Sequence, residues 1–172
     1  PIASNLTAYG NKKDIMNGLF PITTYPGNYI TNVEVLNIDG KLNVSATNFT
    51  YNPSMQASTN TYHFVGTDDF GDKTGTNTLE IISTNRAPTL DNLVMSGNKI
   101  DDMNGHVNVY DADGDAINVN ILSGDLSKLS FTGTNFVYTP SGFVGTNPYS
   151  VVASDGSDNS LPATLTLTST NR

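Results

Sequence analysis

PIASNLTAYGNKKDIMNG (residues 1–18) returns as PTLDNLVMSGNKIDDMNG (residues 88–105), 87 residues further along the chain, with Pro, Asn-Leu, Gly-Asn-Lys, Asp and Met-Asn-Gly in register. The same offset lays TNFTYNPS (47–54) on TNFVYTPS (134–141), and Thr59, Asn60 and Tyr62 on Thr146, Asn147 and Tyr149. After a one-residue deletion near Phe70 the offset becomes 86, and TLEIISTNR (78–86) falls on TLTLTSTNR (164–172). Self-similarity over this length makes the chain two copies of one unit, 1–86 and 87–172. The copies meet at Thr84-Asn85-Arg86-Ala87-Pro88, and Thr170-Asn171-Arg172 stands where a third Ala-Pro would follow.

Within each copy apolar and polar residues alternate over short runs, the period-two pattern of half-buried strands. In the second copy strands are expected near 89–96, 106–110, 116–122, 128–132, 135–138, 148–154 and 163–170. The first copy gives 2–9, 19–24, 30–36, 41–45, 48–51, 60–66 and 77–83. Seven short strands broken by Gly, Asn, Asp and Pro turns predict an all-β, immunoglobulin-like Greek-key sandwich per copy. Phe49, Tyr51, Tyr62, Phe64, Leu79 and Ile81 are assigned to the first core, and Phe136, Tyr138, Tyr149, Val151, Leu165 and Leu167 to the second. About 85 residues suffice for one such core without a metal or disulfide staple.

Composition narrows the function. A net charge of −8 with only eight Lys and Arg, unclustered, offers no basic footprint for nucleic acid. Zero Cys removes disulfides, Cys-ligated zinc and thiol catalysis together. No apolar run is long enough to span a membrane, and the opening PIASNLTAYG is not a signal peptide, so export would require a signal lying upstream or already removed. His63 and His106 occupy unrelated positions in the two copies and lack the partners of a metal or triad motif; they are read as surface or core residues. The sequons at Asn5, Asn43 and Asn48 follow from composition, and the recurrence of Lys12 and Lys99 from shared turn packing. Aspartates in turns do not supply the cleft that glycoside hydrolysis needs. The chain is not expected to be an enzyme.

The acid residues that do cluster lie in two loops. In an immunoglobulin-like sandwich the loops after the second and sixth strands emerge at the end where the preceding linker enters. That places Asp111, Asp113 and Asp115 near Asp155 and Asp158, with Asn85 and Arg86 adjacent. Alternating Asp residues around a Gly present several oxygens to one hard cation, as calcium requires. The ordinary alternative is that Asp-Gly pairs form turns and the acids are solvated. Asp14 or Asp39, from the other end of the first copy, are further candidate ligands. The aligned first-copy loop reads Thr24-Tyr25-Pro26-Gly27-Asn28 and keeps no carboxylate, although Asp68, Asp69 and Asp72 remain after its sixth strand. Tyr25 and Tyr29 there are a candidate contact surface, with structural packing as the alternative.

Asn-Arg-Ala-Pro (85–88), Asp-Ala-Asp-Gly-Asp-Ala (111–116), Tyr-Thr-Pro (138–140), Val-Gly-Thr (144–146) and Ala-Ser-Asp-Gly (153–156) together resemble the bacterial cadherin-like and immunoglobulin-like repeats of large surface adhesins. The resemblance implies a calcium-stiffened extracellular stalk or adhesive array at the cell surface. The acidic Asp-x-Asn-Asp-Asn linker of vertebrate cadherins is replaced by Thr84-Asn85-Arg86-Ala87-Pro88, so one ion is expected and not three. Partners would be neighbouring copies of the module, strung covalently or assembled as a filament, or a host ligand. Two other readings stay open: a carbohydrate- or protein-binding module, and an accessory domain of a secreted enzyme.

Overall fold

Period-two alternation becomes sheet faces in the computed structural model, which describes residues 1–171; Arg172, the end of the second Thr-Asn-Arg, lies outside the described residues. The chain forms two units, Pro1–Asn85 and a second beginning at Arg86. The first contains β1 (Ile2–Ala3), β2 (Leu6–Asn11), β3 (Met16–Leu19), β4 (Ile22–Thr23), β5 (Ile30–Val35), β6 (Leu42–Ser45), β7 (Asn48–Tyr51), β8 (Ser58–Asp68) and β9 (Asn77–Thr84). The second repeats them as β10 (Thr89–Leu90), β11 (Leu93–Asn98), β12 (Met103–His106), β13 (Val109–Tyr110), β14 (Asn118–Ser123), β15 (Leu129–Thr132), β16 (Asn135–Tyr138), β17 (Gly145–Ser154) and β18 (Ala163–Thr170). Each unit packs a four-stranded sheet, ordered β2-β9-β8-β5 or β11-β18-β17-β14, on a three-stranded one, β3-β7-β6 or β12-β16-β15. β2 and β11 run parallel to β9 and β18, and every other pairing is antiparallel. Each unit is thus an immunoglobulin-like sandwich.

All twelve residues assigned to the cores are buried. Tyr51 and Tyr62 meet edge to face at 6.3 Å, as do Tyr138 and Tyr149. The phenols of Tyr51 and Tyr138 accept hydrogen bonds from Asn60 and Asn147 at 2.6 and 2.7 Å, so each buried hydroxyl keeps a partner. Aromatic bulk is partly redistributed between the copies: Phe20 and Phe64 in the first core become Val107 and Val151, while Val44 becomes Phe131, which packs on Phe136 at 5.7 Å.

The second strand of each copy starts earlier than expected, at Met16 and Met103, because Met-Asn-Gly reads locally as a turn. Its glycine serves packing instead. A Cβ at Gly105 would sit 2.5 Å from Phe136 Cζ, so the aromatic ring occupies the space a side chain would take, and Gly18 faces Phe49 in the same way.

Candidate metal centre

Two loops at one end of the second sandwich carry the acids, one joining β13 to β14 and one joining β17 to β18. Asp111 opens the first. Its Oδ1 accepts the amides of Asp113, Gly114 and Asp115 at 2.9, 2.6 and 3.1 Å, folding the loop back around one oxygen. Gly114 takes φ +79°, a left-handed value that a side chain disfavours. The other oxygen of Asp111, Oδ2, is buried without a hydrogen-bond partner. An unpaired buried carboxylate oxygen is costly and calls for a cation or donor.

Across from it, Asp155 Oδ1 accepts the amides of Ser157 and Asp158, both at 2.7 Å, which turns its loop in the same manner. One carboxylate oxygen from each of Asp111, Asp115 and Asp155 falls within 4.8 Å of the others. Oxygens bound to one calcium at about 2.4 Å lie at most about 4.8 Å apart, so a single ion can reach all three. Three half-buried carboxylates at this spacing repel one another unless a cation sits among them.

The remaining predicted ligands are placed differently. Asp113 points inward, 1% exposed, and is held by Arg86: the Arg86 amide donates to Oδ2 at 2.8 Å, and Nε donates to Oδ1 at 2.8 Å. Arg86 Nη2 lies 2.7 Å from the same Oδ1, completing an ion pair. Alternation of Asp-x-Asp-x-Asp suggests three equivalent ligands, but the middle one is buried against Arg86 and lies outside the three-carboxylate group. Asp158 is exposed and outside the three-carboxylate group; its carbonyl closes the loop by accepting the Asp155 amide at 3.2 Å. Asn85 belongs to the first unit. So does Asp39, whose Oδ1 accepts Tyr62 Oη at 2.8 Å and the amides of Lys41 and Leu42. Burial works to raise Asp39, but those hydrogen bonds together hold it below the usual carboxylate range. Asp14 donates its amide to the Asn11 carbonyl in the turn after β2.

The first unit builds the same turn without acid. Thr24 Oγ1 donates to the Asn28 carbonyl at 2.8 Å, the Asn28 amide donates to the Tyr25 carbonyl, and Gly27 takes φ +93°. Tyr25 and Tyr29, 70% and 64% exposed, stand on this loop. Phe70, 74% exposed, lies in the neighbouring loop, whose Asp69 bonds the Tyr29 backbone. Phe70 is not among the contact residues expected from sequence; its signal is the one-residue excess of the first copy in this stretch.

Residues 85–168 match the family model of the bacterial Ig domain. No curated protein matches the chain. Among solved structures, the titin Z1Z2 pair in complex with telethonin is 13% identical, over 99% of this chain and 94% of that one, with a TM-score of 0.48. Drosophila N-cadherin EC1-3 is 14% identical over 97% and 65%, at 0.40. An endo-fucoidan hydrolase of glycoside hydrolase family 107 is 16% identical over 97% of this chain, at 0.46. The chain spans 28% of that hydrolase.

Proposed function

From the premise that residues 85–168 are a bacterial Ig domain preceded by a second sandwich of the same design, we propose that the chain is a non-enzymatic extracellular module of a surface adhesin or filament, stiffened by one calcium ion held by Asp111, Asp115 and Asp155. The observation that carries this reading is the contrast between the two copies. The first copy makes the same left-handed glycine turn with Thr24, Pro26 and Asn28, so carboxylates are not needed to form it. Turn chemistry therefore accounts for Gly27 and Gly114 and for the capping oxygens of Asp111 and Asp155, but not for the choice of carboxylate over Thr24 and Asn28 at positions 111 and 115, nor for Asp111 Oδ2, which is buried where a cation would satisfy it. Three carboxylates with backbone or water oxygens make the hard, all-oxygen set that calcium takes.

Calorimetric titration of calcium into the chain, paired with thermal melting in calcium and in EGTA, tests this. One ion per chain is expected. Extracellular calcium modules bind at about 0.1–1 mM, so calcium at ten times Kd adds about 1.4 kcal/mol and raises the melting temperature by roughly 5–10 °C for a domain of this size. An absence of binding heat together with superimposable melts would overturn the reading.

A contact role for the first copy has its own support. Tyr25, Tyr29 and Phe70 are exposed where the second copy carries Ala112, Ala116 and a shorter loop. Exposed aromatics concentrated in one region mark interaction surfaces. Tyr25→Ala with Tyr29→Ala is expected to abolish binding on a glycan array or self-association by ultracentrifugation, and retention of whichever the unaltered chain shows would exclude these rings from it.

A further inference from the structure

Thr84-Asn85-Arg86-Ala87-Pro88 contains no carboxylate that could share an ion with the second unit's acids. The structure provides a different connection. The two oxygens of Asp111 differ: Oδ1 accepts the amides of residues 113–115 and Oδ2 is buried with no hydrogen-bond partner, while one oxygen of this carboxylate lies within 4.8 Å of oxygens of Asp115 and Asp155. The next link is Asp113, whose buried carboxylate receives the Arg86 backbone amide and guanidinium. Arg86 Nη2 also donates to the Ala112 carbonyl at 3.3 Å, so both the main chain and side chain of Arg86 are tied to the acidic loop. A charge-assisted, forked contact to a buried acid is among the stronger polar interactions available to a protein. The first copy has Pro26 at the position of Asp113, so no equivalent arginine receptor exists in its loop.

We propose that Arg86–Asp113 is a latch through which a cation bound at Asp111, Asp115 and Asp155 fastens the chain at its entry into the second unit. An ion drawn to Asp111 Oδ2 orders the loop that Oδ1 caps, and the ordered loop presents Asp113 to Arg86. Coupling is reciprocal, so a fastened Arg86 also favours the ion-binding form of the loop. The linker need contribute no ligand. This inference rests on the calcium reading for its coupling, whereas the Arg86–Asp113 contact rests on its own hydrogen bonds.

Arg86–Ala87 is a trypsin-cleavable bond, which makes the latch measurable on the full chain. Calcium is expected to slow cleavage at Arg86 by about fivefold or more, the lower range of typical allosteric coupling. Asp113→Asn keeps the shape of the side chain and leaves Asp111, Asp115 and Asp155 in place. The variant is expected to bind calcium by calorimetry, yet to be cut rapidly at Arg86 in calcium and EGTA alike. Protection by calcium equal to that of the unaltered chain would overturn the proposal. If circular dichroism shows that Asp113→Asn does not fold, Arg86→Lys serves instead, because it keeps the cleavage site and the charge but loses the fork; undiminished protection there is equally fatal. Should the unaltered chain bind no calcium, the site assignment fails and with it the coupling. The latch is then judged in EGTA alone: faster cleavage of Asp113→Asn supports it, and equal rates refute it.

Discussion

Single residues decide the chemistry at both ends of each sandwich. Asp115 and Asp155 each supply an oxygen to the cluster while Asp158 does not, so Asp115→Asn and Asp155→Asn are expected to remove calcium binding in calorimetry and Asp158→Asn to leave it intact. At the other end, Tyr149 Oη donates to the Asp125 carbonyl, and burial first, then Tyr138 and Asp125, push its phenol from 10.0 up to about 12. Tyr62 moves in the same direction, by burial and by its bond to Asp39. A pKa raised on folding means that the native state holds the proton more tightly. The contribution is therefore complete below pH 10.0 and is lost as the pH climbs toward about 12. Urea midpoints are expected to fall across that alkaline window, and less steeply in Tyr149→Phe. Asp39 shifts the other way, so its contribution is present above the ordinary carboxylate range and disappears as the pH drops through its lowered value. The sequence shows Asp39, Asp111, Asp113 and Asp115 as similar turn acids. Which of them caps a loop, pairs with arginine or joins the three-carboxylate cluster depends on a left-handed glycine and on distant donors, and neither is encoded in the local spacing.

Among the elements, alternation made most strands readable, since each core strand carries large apolar residues at every second position, as in Phe49 and Tyr51 or Leu165 and Leu167. It failed where packing replaces the side chain by space. β3 and β12 begin with Met-Asn-Gly, and the glycine that suggests a turn is the seat of a phenylalanine ring from the adjoining strand. The long first strand is also divided: β1 pairs with β4, whereas β2 crosses to lie parallel to β9. A continuous apolar pattern conceals that switch because both halves face one core. Gly105→Ala tests the packing role. The added methyl collides with the Phe136 ring and is expected to cost about 1–3 kcal/mol by overpacking, lowering the melting temperature by roughly 4–8 °C per kcal/mol. Gly145→Ala at the start of β17 is the control: a Cβ there meets nothing within 4 Å, and the melt is expected to stay close to that of the unaltered chain.

At the scale of the whole molecule, duplication has produced two cores of one design and two ends of different chemistry. Each unit holds its own aromatic pair, its own paired tyrosine hydroxyl and its own buried strands. Divergence is concentrated in the loops, where Asp111 and Asp115 of the second copy stand opposite Thr24 and Asn28 of the first, Ala112 and Ala116 opposite Tyr25 and Tyr29, and the first copy adds the insertion bearing Phe70, while Asp155 keeps its counterpart in Asp68. Loops accept such change because they carry few core contacts. A ligand stabilises only the conformations that bind it, so an ion at the second copy's carboxylates should act on the opening of that copy's loops first. Native-state hydrogen exchange makes the asymmetry visible. Calcium is expected to slow exchange of the amides of Asp113, Gly114 and Asp115 and of Ser157 and Asp158, which the capping carboxylates already hold. The matching first-copy amides of Asn28, Phe70 and Asp72 are bonded by similar turns without the three-carboxylate cluster, and their exchange should be indifferent to calcium. Equal slowing in both sets would mean that the ion acts through something other than Asp111, Asp115 and Asp155.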